Sequence, residues 1–457
     1  MFQYGLVLKD KKFMKKVLVV AIPMMLQQLI TNSVNLLDNL MVGQLGDYAI
    51  SGVATSNKFF MVGVFAMMGI VTAASIFMAQ YNGANKKKQL VESFRYALIG
   101  SELVMLPFVL AALLFPTQII SFFNKDPELI AAAKQYLPLA ALTFIPQALS
   151  FTIQNAMRSL GHTKYPLMAS ILSVFANAFF NYSFIFGHFG APQLGITGAA
   201  LGTLFARIIE LSFILVVYFR SPWPFKTHLR ELFFVPIEIV KKITTKSIPL
   251  LINEIGWAGG MAMLFKFYST RGAIAVAGMT IAATTTDLFF VLFSGMAVAT
   301  NVIVAHELGA NNLQLAKKYG YLLLQLAVIM SLMFAVLLFG ISFLTPHLYD
   351  VSNEVKNIAG TIIRVQGIFF WIYMFNAQVF FIIRAGGDIR STLIMDAGYM
   401  WFVNLVVVSF VAYQTNWNIY GVYIAGQMTD IVKMIISGVF FRKEKWVKNM
   451  TIEEPVL

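Results

Sequence analysis

The feature that most constrains this chain is a succession of apolar segments, each about as long as a bilayer is thick. Twelve can be read, at approximately 17–41, 51–80, 94–116, 135–157, 166–187 and 195–219, then 247–268, 275–305, 319–345, 361–383, 392–413 and 419–441. About twenty apolar residues in a helix cross a hydrocarbon core of ~30 Å. Several of these segments are longer, so tilted or kinked helices are expected. Composition agrees: the 457 residues are 58% hydrophobic and only 12% charged, where a soluble domain carries roughly a quarter charged residues. Too few charges remain to coat a water-facing surface. Soluble enzymes, disulfide-stapled secreted domains and disordered regulators are excluded. The chain has no cysteine, which removes thiolate metal sites and cysteine nucleophiles.

The net charge of +13 does not indicate a nucleic-acid partner, because the basic residues follow the topology. With the N-terminus placed inside, the cytoplasmic loops and ends collect 25 Lys and Arg against 7 on the other side. That excess sets both termini in the cytoplasm of a multi-pass protein of the cell membrane. The basic start followed by an apolar segment is read as a first helix and not as a cleaved leader, since eleven further spans follow it.

The polar stretch near 220–246 splits the chain into two sets of six segments. A single shift of 226 residues relates them: Pro23 falls on Pro249, Gly69 on Gly295, Asn85 on Asn311, Arg158 on Arg384, Gly161 on Gly387 and Thr203 on Thr429. Arg207 falls on another cation, Lys433. Matches at one shift that concentrate on Pro, Gly, Asn and Arg indicate an internal repeat. An even number of helices per half makes the repeat parallel. The expected organisation is an N-lobe over 1–220, a cytoplasmic connection over 221–246 and a C-lobe with a basic tail over 247–457. Two such lobes would form a rocker with a substrate site between them.

Polar groups inside a bilayer are costly, so each needs a reason. Thr31, Asn32, Asn35, Asp38 and Asn39 recur at spacings of three or four, one polar stripe on the first helix. A carboxylate among amides suits a proton or a hard cation; the competing reading is a polar patch that joins helices. Ser170, Ser173, Asn177 and Asn181 show the same spacing on the fifth helix. Alone they read as a hydrogen-bonding seam; beside Asp38 they could complete an oxygen cage with Thr203 of the sixth helix. Glu254, five residues after Pro249, and Asp287 are the second-lobe candidates for proton or cation binding, with a structural buried acid as the alternative. Asp287 belongs to an expected continuous stripe of Thr280, Asp287, Ser294 and Asn301. Arg207 with Glu210, and Asp430 with Lys433, are spaced for neutralising helical pairs. The five histidines, 162, 188, 228, 306 and 347, lack metal-ligand spacing.

The residues that carry a family resemblance are Pro23 with Asp38, Val42-Gly43-Gln44-Leu45-Gly46, Gln80 to Asn85 with its echo His306 to Asn311, Arg158 to Gly161, and Gly195 to Thr203. Over nearly its whole length the chain resembles the multidrug and toxic compound extrusion (MATE) transporters. The resemblance implies an all-α polytopic membrane protein, a V-shaped pair of six-helix bundles, and a monomer. It implies antiport of small amphipathic organic cations against H⁺ or Na⁺, with no further cofactor. In the branch similar to the DNA-damage-inducible-F members, it puts the coupling cation at Asp38, Asn177 and Thr203, with Asn35 and Asn181 beside them, Na⁺ being the metal such a site would take. Pro23 corresponds to the kinking proline. The sequence departs from many relatives at Asn181, where they carry an acid, which leaves Asp38 as the expected site's only formal charge. In the NorM-like branch the second lobe matters: Glu254 resembles its seventh-helix acid, while the tenth helix offers Tyr373, Asn376 and Gln378 and no acid.

Two other functions compete with cation-coupled drug export. A lipid-linked oligosaccharide flippase would require several cavity cations to hold pyrophosphate, and only Arg207 and Lys433 fit. A membrane-embedded transferase would require histidines, paired acidic motifs or metal ligands at one interface, and the sequence offers none of these.

Overall fold

The computed structural model describes residues 5–123, 126–349 and 351–452. Every regular element among them is helical. In the first half these are α1 (Lys11–Gly43), α2 (Asp47–Gly83), α3 (Lys87–Leu114), α4 (Pro116–Phe123), α5 (Pro127–Leu142), α6 (Phe144–Ser159), α7 (Lys164–Phe186) and α8 (Ile196–Arg220). The second half has α9 (Ile237–Ser269), α10 (Ala273–Asp287), α11 (Val291–Gly309), α12 (Leu313–Ile341), α13 (Asn353–Ala385), α14 (Ile389–Gln414) and α15 (Ile419–Arg442). Eleven helices are long and apolar enough to cross a bilayer, and the pair α5–α6, bent by 41°, brings the number to twelve.

Two of the twelve sequence segments are not single helices. The fourth bends at Thr143, whose hydroxyl donates to the Ala140 carbonyl at 2.6 Å. The eighth stops at Asp287 and resumes at Val291. The expected stripe through Thr280, Asp287, Ser294 and Asn301 is therefore cut in two. Asp287 ends one helix, Ser294 donates to the Val291 carbonyl at 2.8 Å in the next, and Asn301 opens a π-helical turn. Leu288, Phe289 and Phe290 at the break include neither glycine nor proline, so the sequence carries no breaker there. Through Pro23, by contrast, α1 remains one continuous helix.

The repeat is visible in the backbone. Gly46 and Gly272 have φ of 104° and 92°, Asn85 and Asn311 have 55° and 63°, and Gly161 and Gly387 have 87° and 75°. Each pair is separated by the same 226 residues. Positive φ is strained for most residues, so the shared glycines and asparagines hold the same turns in both halves.

The chain divides into two compact units, one of Leu26–Leu251 and the other of the residues up to Met25 together with those from Ile252 onward. The division falls two residues after Pro23 in α1 and two after Pro249 in α9. Proline lacks an N–H and removes one helical hydrogen bond, so each helix has its weakest turn where it passes from one unit to the other. In the unit containing residues up to Met25, Lys16 reaches Glu307 at 3.4 Å and Phe13 stacks on Tyr319 with centroids 5.0 Å apart. In the other, the Tyr96 and Thr244 hydroxyls lie 2.9 Å apart.

A Cβ on Gly46 or Gly272 would meet no atom within 4 Å, so alanine there tests backbone strain alone. Gly46→Ala and Gly272→Ala should each cost about 1–3 kcal/mol. Unfolding midpoints in detergent should fall by nearly equal amounts; a drop at only one site would mean that the two turns are not equivalent.

Candidate functional site

In the unit Leu26–Leu251 the fifth-segment stripe does converge with Asp38. Spacings of three and four place Ser170, Ser173, Asn177 and Asn181 on one buried face of α7. That face packs against α8, where Gly198 and Gly202 let the backbones approach closely. A Cβ on Gly202 would collide with the Asn181 side chain. Asn181 is 0% exposed. Its amide donates to Asp38 Oδ1 at 2.7 Å and to Asn177 Oδ1 at 3.4 Å. Asn177 in turn donates to Thr203 Oγ1 at 3.3 Å. The Asn181 carbonyl oxygen is buried without a hydrogen-bond partner. Asp38, Asn177, Asn181 and Thr203 thus form one cluster. The side chains of Asn35 and Asn39 lie outside the described residues.

Asp38 is not the only formal charge here. A small cavity of about 60 Å³ is lined by Asp38, Asn177 and Thr203 together with Arg207 and Glu210. The helical pair expected between the last two is present, Arg207 Nη1 to Glu210 Oε2 at 2.8 Å. Ser173 and Gln154 also donate to Glu210, at 3.1 and 2.8 Å. Gln154 and Gln27 accept from the buried Arg158, each at 3.2 Å, and Gln27 donates to Ser170 at 2.6 Å. Asp38, Asn181 and Thr203 also border a second cavity of about 460 Å³, which includes Asn57, Tyr136 and Gln147.

In the other unit the charges pair differently from the sequence spacing. Lys433 does not turn to Asp430, three residues away; its ammonium bonds Asp396 at 2.9 Å. Asn253 donates to the other Asp396 oxygen at 3.1 Å and accepts from the Ala397 N–H at 3.2 Å. Asp430 instead accepts from the Tyr399 hydroxyl at 3.1 Å. Glu254 pairs with Arg384 at 3.3 Å. Asp396 was missed by sequence reasoning because it has no helical partner at short spacing. The 226-residue shift could have found it: Asp396 is the counterpart of Ser170, Asn253 of Gln27 and Lys433 of Arg207. The contact from Gln27 to Ser170 in one unit is repeated as Asn253 to Asp396 in the other.

Beside this network lies a chamber of about 710 Å³. Tyr268, Tyr373, Tyr399 and Tyr423 form its aromatic wall, and Asp287, Asp430 and Lys433 bring charge to it. The Lys433 ammonium sits 5.1 Å from the centroid of the Tyr399 ring, a cation–π arrangement. Of the second-lobe candidates, Asp287 and Tyr373 line the chamber. Glu254 and Asn376 do not; Asn376 donates to the Asp430 carbonyl at 3.1 Å. Among the described residues no group of three or more His, Asp or Glu could hold a metal ion.

Fold and site together define a multi-pass helical membrane protein built from a tandem repeat, with a buried carboxylate cluster in one unit and an aromatic chamber in the other. The MatE family profile matches the chain twice, over residues 23–183 and 249–411, and the chain belongs to that family. Among relatives, it is 24% identical over 426 residues to the probable multidrug resistance protein NorM of Halalkalibacterium halodurans, covering 93% of this chain and 92% of that one. A protein of the same description from Bradyrhizobium diazoefficiens is 26% identical over 412 residues, 88% of each chain. A crystal structure of MATE in complex with MaL6 superposes with a TM-score of 0.87 at 20% identity, over 94% of this chain and 96% of that one. An outward-facing multidrug resistance MATE transporter of the MOP superfamily matches with the same TM-score and identity, over 94% and 95%.

Removing one partner of a buried ion pair leaves an uncompensated charge and costs on the order of 3–5 kcal/mol, whereas replacing both by apolar residues is often near neutral. Asp396→Leu should therefore sharply lower the unfolding midpoint, and Asp396→Leu combined with Lys433→Met should recover most of the loss. Additive losses in the double variant would show that the two side chains do not act as a pair.

Proposed function

We propose that this protein is a multidrug efflux antiporter of the cell membrane, with both termini cytoplasmic, which exports amphipathic organic cations by alternating access in exchange for H⁺ or Na⁺. The observation that carries the coupling assignment is the unequal pairing of the two acids around the small cavity. Glu210 already has the Arg207 guanidinium. Asp38 has an amide donor, Asn181, so its charge is the one that an entering cation can neutralise. A proton there would weaken the charge-assisted bond to Asn181 and loosen the link from α1 to α7. Sodium would find hard oxygens on Asp38, Asn177 and Thr203, with the unpartnered Asn181 carbonyl beside them. Either ion shifts the balance between two arrangements only by binding one of them better.

The chamber supports the substrate class. Tyrosine faces and two carboxylates suit a flat organic cation, and about 710 Å³ falls in the range of drug-sized sites. Tyr373 and Asp287 are the proposed contacts from the sequence set, with Glu254 and Asn376 outside the lining as supports. A flippase reading loses its main argument, since Arg207 and Lys433 are each already ion-paired and are not free to clamp pyrophosphate.

Ethidium transport in proteoliposomes of known orientation, driven separately by a Na⁺ gradient and a pH gradient, tests this reading. Uptake should follow one gradient and be abolished in Asp38→Asn, while equilibrium ethidium binding in that variant stays within about threefold of wild type, a ~0.7 kcal/mol change. Gradient-driven uptake that survives Asp38→Asn would sink the coupling assignment.

A further inference from the structure

A fourth cavity plays no part in the proposed transport. Helices α12, α13 and α15 enclose a crevice of about 780 Å³, lined among others by Tyr321, Leu324, Phe375, Met434, Gly438 and Arg442. Its floor is open at Gly438, where a Cβ would meet no atom within 4 Å. From Met434 to Arg442 the crevice follows α15 for eight residues, about 12 Å at 1.5 Å per residue. That is most of one leaflet of a ~30 Å hydrocarbon core.

The wall is apolar along its length and charged only at one end. Two charged residues stand there, and they differ in their pairing. Glu444 is taken by Lys317 at 2.5 Å. The Arg442 side chain is exposed and makes no hydrogen bond or ion pair among the described residues. Lys443 and Lys445 follow it, and Lys318 follows Lys317 on the neighbouring helix. A long arginine at the end of a membrane helix reaches the headgroup level, and basic recesses between such helices attract anionic headgroups. The repeat shows that the fold does not require this feature: 226 residues earlier, Ser212 stands for Gly438 and Val216 for Arg442.

We propose that this crevice is a binding site for an anionic phospholipid, one acyl chain lying along α15 over Gly438 and the phosphate hydrogen-bonded to the Arg442 guanidinium. A zwitterionic lipid fits the apolar floor and offers the same phosphate, but its choline ammonium offsets the negative charge that Arg442 and the neighbouring lysines attract. A cationic amphiphile is opposed by the same arginine.

The full-length protein in detergent, incubated with phosphatidylglycerol or with phosphatidylcholine of identical chains, provides the test. Native mass spectrometry reads the lipid retained. One phosphatidylglycerol should be held about tenfold more tightly than phosphatidylcholine, whose choline ammonium offsets the charge that meets Arg442. Arg442→Gln, an exposed change, should erase that preference. Gly438→Leu should fill the floor and lower retention of both lipids. Equal retention by the wild type, or a preference that survives Arg442→Gln, overturns the proposal. So does displacement of phosphatidylglycerol by ethidium with tighter ethidium binding in Arg442→Gln, which would make the crevice a drug site.

Discussion

Charge buried where water is absent must carry its own compensation, and the polar interior of this protein is arranged around that requirement. An isolated ion in a hydrocarbon-like medium is costly, and a counter-ion with well-placed hydrogen bonds offsets much of that cost. Arg207 is matched by Glu210, Lys433 by Asp396 and Arg384 by Glu254. Around these pairs the amides and hydroxyls of Gln27, Gln154, Ser173 and Asn253 occupy the remaining donor and acceptor positions. Three buried charges rest on neutral groups instead: Asp38 on the Asn181 amide, Asp430 on the Tyr399 hydroxyl and Arg158 on the Gln27 and Gln154 amides.

The tandem repeat explains how one chain could arrive at two different interiors. Turns at Gly46 and Gly272, at Asn85 and Asn311, and at Gly161 and Gly387 keep the backbone alike. On this common frame the contact from the α1 side chain to α7 is amide to hydroxyl in one unit, Gln27 to Ser170, and amide to carboxylate in the other, Asn253 to Asp396. With Asp396 in place of Ser170 and Ile436 in place of Glu210, the counter-ion of the repeat-related cation lies on its own helix α8 in one unit and on α14, not α15, in the other. One half holds a compact polar cluster and the other a roomy aromatic chamber.

Much of this was legible before any coordinates. Ser170, Ser173, Asn177 and Asn181 share one face of α7, because helical periodicity fixes which residues lie together; the spacing did not say that this face meets Asp38 and Thr203. The Arg207–Glu210 pair was legible for the same reason. Asp396 was not, since its partners Lys433 and Asn253 lie 37 and 143 residues away. The break after Asp287 was hidden as well, since Leu288-Phe289-Phe290 reads as uninterrupted membrane helix.

The sequence by itself determined the solvent, the number of crossings, the parallel repeat and the identity of the polar residues that had to be buried. These follow from composition and period, which are properties of a single strand of residues. Tertiary structure alone decided which buried charge meets which: Lys433 with Asp396 and not with Asp430, Glu254 with Arg384, Asp38 with Asn181. Partner choice depends on which helix stands opposite at a given depth, and a spacing along one helix carries no information about its neighbour. The passage of α1 and α9 from one compact unit to the other, just beyond their prolines, was decided at the same level.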